Sequence, residues 1–153
     1  MTYEQLKLSN QFCFPVYAAS RLIIREYQPH LEKLGITYPQ YLVLMVLWET
    51  DNITVNEISQ KLILNTNTLT PLLKRMESQG IITRKRSDPD ERKVIIQLSE
   101  KGREMRIEAA SIPEKLVSGL NKGTLSMQEL IETRSRLNVL IDFLREKEGE
   151  DNV

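Results

Sequence analysis

The fold is indicated by residues 54–86, which read TVNEISQKLILNTNTLTPLLKRMESQGIITRKR. Apolar residues recur at helical spacing over 55–62 and again over 69–76. Thr54 and Glu57 have the spacing of a capping box at the start of the first segment, and Gly80 follows the second as a stop. The pattern therefore predicts two helices, 55–62 and 66–79, separated by a short turn.

The periodicity changes after Gly80. Residues 81–86 (IITRKR) and 94–98 (VIIQL) are typical of two strands, and the intervening SDPDER is rich in turn residues. Two helices followed by a hairpin is the order found in a winged helix. There the second helix enters the DNA major groove and the hairpin reaches along the backbone.

The flanking segments are predicted to be helical over 9–34, 39–49 and 99–120, with a last helix capped by Ser126. Pro15 and Pro29 are expected to begin, kink or interrupt the first of these helices, and Pro113 to kink the helix over 99–120. The predicted fold is mainly α with a small β-hairpin: a winged helix-turn-helix flanked by helices that form a dimerisation layer. We expect a single domain over 1–153, with dimerisation helices at 1–36 and 104–146 and a DNA-binding lobe at 37–103.

The charge distribution and the rare residue types limit the classes of function that the chain can have. The net charge is zero, yet residues 74–106 carry 10 basic and 6 acidic residues, a net of +4. A basic segment beside a predicted helix-turn-helix favours a polyanion partner. Cys13 is the only cysteine and His30 the only histidine, so we expect no intrachain disulfide, no metal, no cofactor and no enzyme. No signal peptide or membrane-spanning run is apparent, which favours a cytoplasmic protein without membrane contact.

The predicted second helix begins with hydroxyl and amide side chains, which bond base edges or phosphates, and continues with cations that neutralise phosphates. An arginine at the hairpin tip can enter a narrow minor groove, and Asp90 is spaced to orient Arg92. A polar exposed face and a charged hairpin that serve only solubility are the alternative interpretation. The candidate DNA-binding residues are Thr66, Asn67, Thr68, Thr70, Pro71, Lys74, Arg75, Arg84, Arg86, Asp90, Arg92 and Lys93.

Residues 5–145 resemble the MarR family of dimeric winged-helix regulators. The resemblance rests on DPDER at 88–92 followed by LSEKG at 98–102. Within that family the chain is similar to the one-cysteine organic-hydroperoxide sensors called OhrR, through NQFCF at 10–14, ITYPQYL at 36–42, TLTPLLKRME at 68–77 and RKRS at 84–87. The chain departs from the OhrR pattern at Asn65-Thr66-Asn67 and at Pro15.

The resemblance implies a homodimeric repressor bound to a pseudo-palindromic double-stranded DNA operator. Organic hydroperoxides would oxidise Cys13 and release the DNA. It also implies that Tyr27 and Tyr38, partly from the partner subunit, and Tyr17 hydrogen-bond the thiolate, and that Arg92 enters the minor groove.

The chemistry of Cys13 agrees with this, because the thiolate is the nucleophile and helix N-termini favour anions. Attack on a peroxide yields a sulfenic acid. With one cysteine, that acid persists, condenses with a low-molecular-weight thiol as a mixed disulfide, cyclises or overoxidises. A lone cysteine between Phe12 and Phe14 is also typical of a small buried hydrophobe.

Four other functions stay open. One is a MarR-type regulator that responds to a small aromatic ligand in a pocket between the dimerisation layer and the winged helix. Another is a broader thiol-based global regulator. The third is a thiol peroxidase with Cys13 as the nucleophile, which the lack of a second cysteine disfavours. The fourth is a winged-helix module that binds protein rather than DNA.

Overall fold

The computed structural model describes residues 3–86, 93–121 and 125–150. Within them the chain is mainly helical with a small antiparallel sheet, as predicted. The expected hairpin turn at 87–92 lies outside the described residues. In chain order the elements are α1 (Cys13–Lys33), α2 (Tyr38–Glu49), β1 (Ile53–Thr54), α3 (Val55–Leu62), α4 (Thr66–Ser78), β2 (Ile82–Arg86), β3 (Val94–Leu98), α5 (Glu100–Ala109), α6 (Ile112–Asn121) and α7 (Met127–Glu150).

The helix-turn-helix consists of α3 and α4, and the predicted capping box at its start is confirmed. The backbone N–H and the hydroxyl of Thr54 each lie 2.7 Å from a carboxylate oxygen of Glu57, whose own N–H donates to Thr54 Oγ1 at 3.2 Å. Between the helices Ile63 takes the left-handed conformation, with φ 54°. The Ser59 hydroxyl donates to the carbonyl oxygen of Leu64, and the Leu64 N–H donates to the Ser59 carbonyl oxygen at 3.1 Å, so two hydrogen bonds span the short turn.

The wing strands pair as predicted. β2 and β3 are antiparallel from Ile82 opposite Leu98 to Arg86 opposite Val94. A further strand, β1, pairs with β3 through Ile53 and extends the sheet in the order β1-β3-β2. The sequence did not indicate β1, because two residues are too short for a period-two pattern.

The first helix starts later than predicted, at Cys13 rather than at position 9, and 3₁₀ turns at Glu4–Leu6 and Leu8–Asn10 precede it. Pro15 lies in the first turn of α1, where a backbone N–H has no intrahelical partner and proline is tolerated. Pro29 lies inside α1 and does not end it, because the helix continues to Lys33.

The predicted single helix over 99–120 is wrong. It is divided into α5 and α6, with Ala110 and Ser111 between them. Pro113 explains the break, because it has no N–H to donate to the carbonyl oxygen of Ala109 and its ring would clash there. The chain restarts as α6 with Pro113 in its first turn.

The hydrophobic core lies in the winged-helix region. Ile58 of α3 and Leu69, Leu73 and Met76 of α4 are fully buried. They pack with α2, whose buried face is apolar except for Gln40. The buried hydrophobic residues are Leu31, Ile36, Tyr41, Val43, Leu44, Val46, Leu47, Ile53, Ile58, Leu69, Leu73, Met76, Ile81, Ile82, Ile96, Leu98, Met105, Ala109 and Ile112.

The start of α5 packs closely against the backbone at the start of the sheet, at Gly102. A Cβ at this position would clash with the carbonyl oxygen of Ile81, which also accepts the Ser99 hydroxyl at 2.8 Å. The Gly102 carbonyl oxygen in turn accepts the indole N–H of Trp48 at 2.9 Å. Only glycine permits this approach.

The chain divides into two compact units, 1–112 and 113–153. The first holds the winged helix and α1. In the second, α7 carries exposed apolar side chains along its length, among them Ile131, Val139 and Phe143. The division of the chain into dimerisation helices and a DNA-binding lobe stays a prediction.

Candidate nucleic-acid interface and cysteine site

The α4 helix has one buried and one exposed face. Leu69, Leu73 and Met76 anchor it to the core. The polar and basic residues predicted to contact DNA are exposed or half-buried on the rest of its surface. Asn67, Thr68, Pro71, Lys74 and Arg75 are exposed, and Thr66 and Thr70 are half-buried.

The first turn of α4 is fixed by its own side chains. The Asn65 side-chain oxygen accepts the Asn67 N–H at 2.9 Å, so Asn65 is the N-cap. The Thr70 hydroxyl donates to the Thr66 carbonyl oxygen at 2.8 Å. Thr70 therefore offers a ligand its oxygen lone pair, because its proton is already used inside the helix.

The wing contributes basic residues of two kinds. Arg86 and Lys93 are exposed. Arg84 is half-buried, and its Nη1 lies 3.5 Å from Glu77 Oε2 on α4. Sequence reasoning missed Glu77, because nothing in the local pattern places it opposite a wing arginine. The predicted tip residues Asp90 and Arg92 lie outside the described residues.

A cavity of about 260 Å³ lies between α3, α4 and the wing strands. Thr66, Thr70, Arg84 and Lys93, all predicted to contact DNA, line it together. Asn56, in the first turn of α3, also lines it and was not predicted. The sequence did not indicate Asn56, because its proximity to α4 and the wing depends on how the helices pack.

Cys13 is the first residue of α1 and is exposed. Tyr17 lies one helical turn later, on the same side of the helix. The Arg21 guanidinium stacks over the Tyr17 ring, with its central carbon 5.6 Å from the ring centre. The segment around the cysteine is apolar and open to solvent, and Phe12 is 75% exposed.

Tyr27 of α1 and Tyr38 of α2 lie against each other within one chain. Their ring centres are 5.0 Å apart, and Tyr41 packs against both. Burial raises the pKa of Tyr27 to about 12 and also raises the pKa of Tyr38. Both hydroxyls therefore stay protonated near neutral pH and can donate hydrogen bonds.

The tyrosine pair is far from the cysteine of its own chain. Tyr27 follows Cys13 by 14 positions on one helix, and a rise of 1.5 Å per residue separates them by about 21 Å along the axis. A single chain therefore does not assemble Cys13 with Tyr27 and Tyr38.

A second cavity, of about 460 Å³, lies between α1 and the start of α2. Arg21, Arg25 and Gln28 of α1 and Tyr38 of α2 contribute to its wall, together with apolar side chains such as Ile24. The acidic Glu32 also lines the cavity, so the space suits a small molecule with an apolar body and an anionic group that faces the two arginines.

Over the described residues, no group of three or more His, Cys, Asp or Glu side chains is arranged to hold a metal ion. The helices in that part of the chain are too short or too polar to cross a membrane.

A helix-turn-helix with an exposed polar and basic recognition face and a basic wing defines the class of winged-helix transcription regulators. The sequence profile of the family described as transcriptional regulator SarA/Rot matches residues 25–108. The organic hydroperoxide resistance transcriptional regulator of Bacillus subtilis is 47% identical over 145 residues, which cover 95% of this chain and 97% of the relative. The chain therefore belongs to the MarR-type winged-helix transcriptional regulators, and the predicted resemblance is confirmed.

Solved structures agree with this assignment. AbfR of Staphylococcus epidermidis, reduced and bound to DNA, is 38% identical, with a TM-score of 0.76 over 95% of this chain and 98% of its own. Overoxidised AbfR bound to DNA gives a TM-score of 0.73, and the disulfide form gives 0.59. A MarR-family regulator from Rhodococcus sp. RHA1, 19% identical, shares the fold with a TM-score of 0.77 over 88% of this chain and 95% of its own.

Proposed function

We propose that this protein is a DNA-binding transcriptional repressor that senses organic hydroperoxides by oxidation of Cys13 and then releases its operator. The likeness to a hydroperoxide-resistance regulator, together with the position of the cysteine, carries the proposal. The chain is 47% identical, over 95% of its length, to an organic hydroperoxide resistance regulator, and its single cysteine begins the first long helix. The exposed face of α4 and the basic wing supply the DNA-binding surface.

The sensing reaction starts at the Cys13 sulfur. The thiolate attacks one peroxide oxygen, the O–O bond breaks, and the products are a sulfenic acid and, after protonation, an alcohol. A low-molecular-weight thiol then condenses with the sulfenic acid, releasing water and leaving a mixed disulfide. The protein is consumed stoichiometrically as a sensor and does not act as an enzyme.

Tyr27 and Tyr38 are proposed to reach the thiolate of the other subunit in a homodimer. Tyr27 lies about 21 Å along α1 from the cysteine of its own chain, and Tyr38 packs beside it. A tyrosine hydroxyl is protonated near neutral pH, and burial raises the pKa of both further. Their hydroxyls would stabilise a partner's thiolate by hydrogen bonds, with Tyr17 contributing from the same helix as the cysteine.

A homodimer is supported by the exposed apolar surface of the N-terminal segment and the first half of α1. Large patches of this kind on soluble proteins mark interfaces. A two-fold dimer presents two copies of α4 to a pseudo-palindromic operator, with Arg92 reaching the minor groove. The exposed apolar side chains before the middle of α1 are Tyr3, Leu6, Leu8, Phe12, Phe14, Val16, Tyr17 and Leu22.

The mixed disulfide is the proposed releasing species. Overoxidised AbfR was solved bound to DNA, so overoxidation alone does not prevent DNA binding in that relative. A thiol attached to Cys13 adds more bulk and would disturb the packing of α1.

The test is a DNA-binding assay on the region upstream of the protein's own gene. Native protein and Cys13→Ser are compared in the reduced state, after cumene hydroperoxide, and after cumene hydroperoxide with a small thiol. We expect both proteins to bind equally when reduced, and only the native protein to lose at least about 10-fold in affinity with oxidant and thiol. That loss corresponds to about 1.4 kcal/mol.

Loss of binding in both proteins would remove Cys13 as the sensor. Retention of binding in both would leave a MarR-type regulator that responds to a different signal. Mass spectrometry of the released native protein identifies the sulfenic acid, the mixed disulfide or the overoxidised form.

The cavity of about 460 Å³ favours a second candidate signal, a small aromatic acid. Its ring would pack on Ile24 and its carboxylate would pair with Arg21 or Arg25. A Cys13→Ser protein that still releases DNA on addition of salicylate would support this candidate.

A further inference from the structure

We propose that the cavity between α3, α4 and the wing receives one phosphate of the DNA backbone, and that Glu77 competes with this phosphate for Arg84. The inference rests on the DNA-binding part of the proposed function and is independent of the redox signal. It concerns the strength of binding to any duplex.

Arg84 is the central group. Its side chain is 19% exposed, and its Nη1 is held by Glu77 at 3.5 Å. Its Nε is buried and has no hydrogen-bond partner. A buried cationic donor without an acceptor is costly, and such groups in native proteins call for a specific explanation. Because Nε is shielded from a water-sized probe, an anion in the adjoining cavity reaches it only when the Arg84 side chain turns away from Glu77 toward the cavity that it lines.

The rest of the cavity wall also suits an anion. Lys93 contributes a second positive charge, and Asn56 and the two threonines, Thr66 and Thr70, contribute polar side chains. Residues 56 and 66 lie in the first turns of α3 and α4, whose backbone N–H ends favour negative charge. Acidic side chains do not line the cavity among the described residues.

The position of the cavity selects a DNA phosphate over a free anion. It opens between the start of the recognition helix and the base of the wing, two elements that approach the duplex on either side of one backbone strand. A phosphate fixed there would set the register of α4 in the groove without reading sequence.

Glu77 introduces the competition. It lies on α4, 42% exposed, and its carboxylate is a long 3.5 Å from the guanidinium. A pair of this kind contributes little to folding, so a phosphate can displace the carboxylate. Glu77 would then weaken binding to every duplex by holding Arg84 and by repelling the backbone that replaces it.

The experiment measures the affinity of the reduced full chain for a random-sequence duplex and for the gene's upstream region across a salt titration. The variants are Glu77→Gln, Arg84→Gln and the double variant. Glu104→Gln, an exposed acid on α5 outside the cavity wall, gives the same change in net charge and is the matched control.

We expect Glu77→Gln to tighten binding to both duplexes by about 2- to 5-fold, more than Glu104→Gln does. In the Arg84→Gln background the gain should fall below about 2-fold. Arg84→Gln itself should lower the slope of log K against log salt by about 0.9, the value for one phosphate contact.

If Glu77→Gln raises the DNA affinity equally with Arg84 and with Gln at position 84, Glu77 acts only by repelling the DNA backbone. That result would overturn the proposed competition for Arg84. Equal effects of Glu77→Gln and Glu104→Gln would do the same. An unchanged salt slope for folded Arg84→Gln would remove the phosphate site. If inorganic phosphate protects Arg84 from chemical modification but duplex DNA does not, the cavity binds a free anion instead. Failure of the native protein to bind any DNA would refute the proposed function itself.

Discussion

The winged-helix region and the N-terminal half of α1 are built in opposite ways. In the winged helix, Leu69, Leu73 and Met76 of α4 are fully buried within one chain. In the described chain before Leu31 no residue is buried, and large apolar groups such as Leu22 are more than half exposed. The DNA-binding element is therefore complete in one copy, whereas the segment that carries Cys13 lacks a covering surface.

This difference suits a sensor. An element that packs on itself keeps its shape, because dense cores resist small displacements. A segment that depends on a second copy is sensitive to any group added at its surface. Chemistry at Cys13 would therefore act on the assembly of two copies and leave the fold of each DNA-binding unit intact.

The largest effect is expected from a substitution in the core of the winged-helix region. Leu73→Ala should lower the free energy of unfolding by about 2–5 kcal/mol, because it leaves a cavity beside α4. Urea unfolding monitored by circular dichroism measures it. Leu22→Ala on α1 is the matched control.

For Leu73→Ala the loss should be the same at low and high protein concentration. For Leu22→Ala the loss should be larger at low than at high protein concentration, because the proposed dimer would cover this side chain. Concentration-independent losses of equal size in both variants would contradict the contrast between the two regions.

The next effect tests the junction between α5 and the sheet. Gly102→Ala should destabilise the protein by about 1–3 kcal/mol, since the added methyl group meets the backbone oxygen of Ile81. Gly119→Ala in α6 is the same substitution with no atom within 4 Å of the new Cβ, and it should stabilise by about 0.4–1 kcal/mol. Thermal unfolding of the two variants should shift in opposite directions, and a shared sign would refute the close approach at Gly102.

The smallest effect concerns the tyrosine pair. The pKa of Tyr27 is raised from 10.0 to about 12 in the folded protein. Its contribution to stability is therefore present below about pH 10 and is lost as the pH rises toward about 12. Tyr27→Phe should flatten the decline in unfolding free energy over this window. Because the side chain is half exposed, the difference in slope should stay well under the limit of about 1.4 kcal/mol per pH unit.

Urea unfolding of the two proteins at about pH 9 and about pH 11 measures that slope. Equal slopes would mean that the Tyr27 hydroxyl is not held in a buried, protonated state. The same variant should also react more slowly with organic hydroperoxide if Tyr27 stabilises a partner's thiolate.

The sequence by itself determined the local elements and their order. Helical periodicity and caps located α3 and α4, the change to strand patterning located the wing, and the single cysteine limited the redox chemistry. These features follow from contacts a few residues apart, which a linear pattern records. The helix break at Pro113 was only partly predicted, because the sequence showed the proline but not whether the helix would bend or end there.

Only the tertiary structure decided which distant residues meet. It paired β1 with β3, placed Glu77 against Arg84 and packed the Tyr27 ring against the Tyr38 ring. Each of these contacts depends on how helices and strands pack across the core, and packing is decided by the whole set of buried side chains together. Residues far apart in sequence leave no periodic trace of such a contact, so a single sequence does not reveal it.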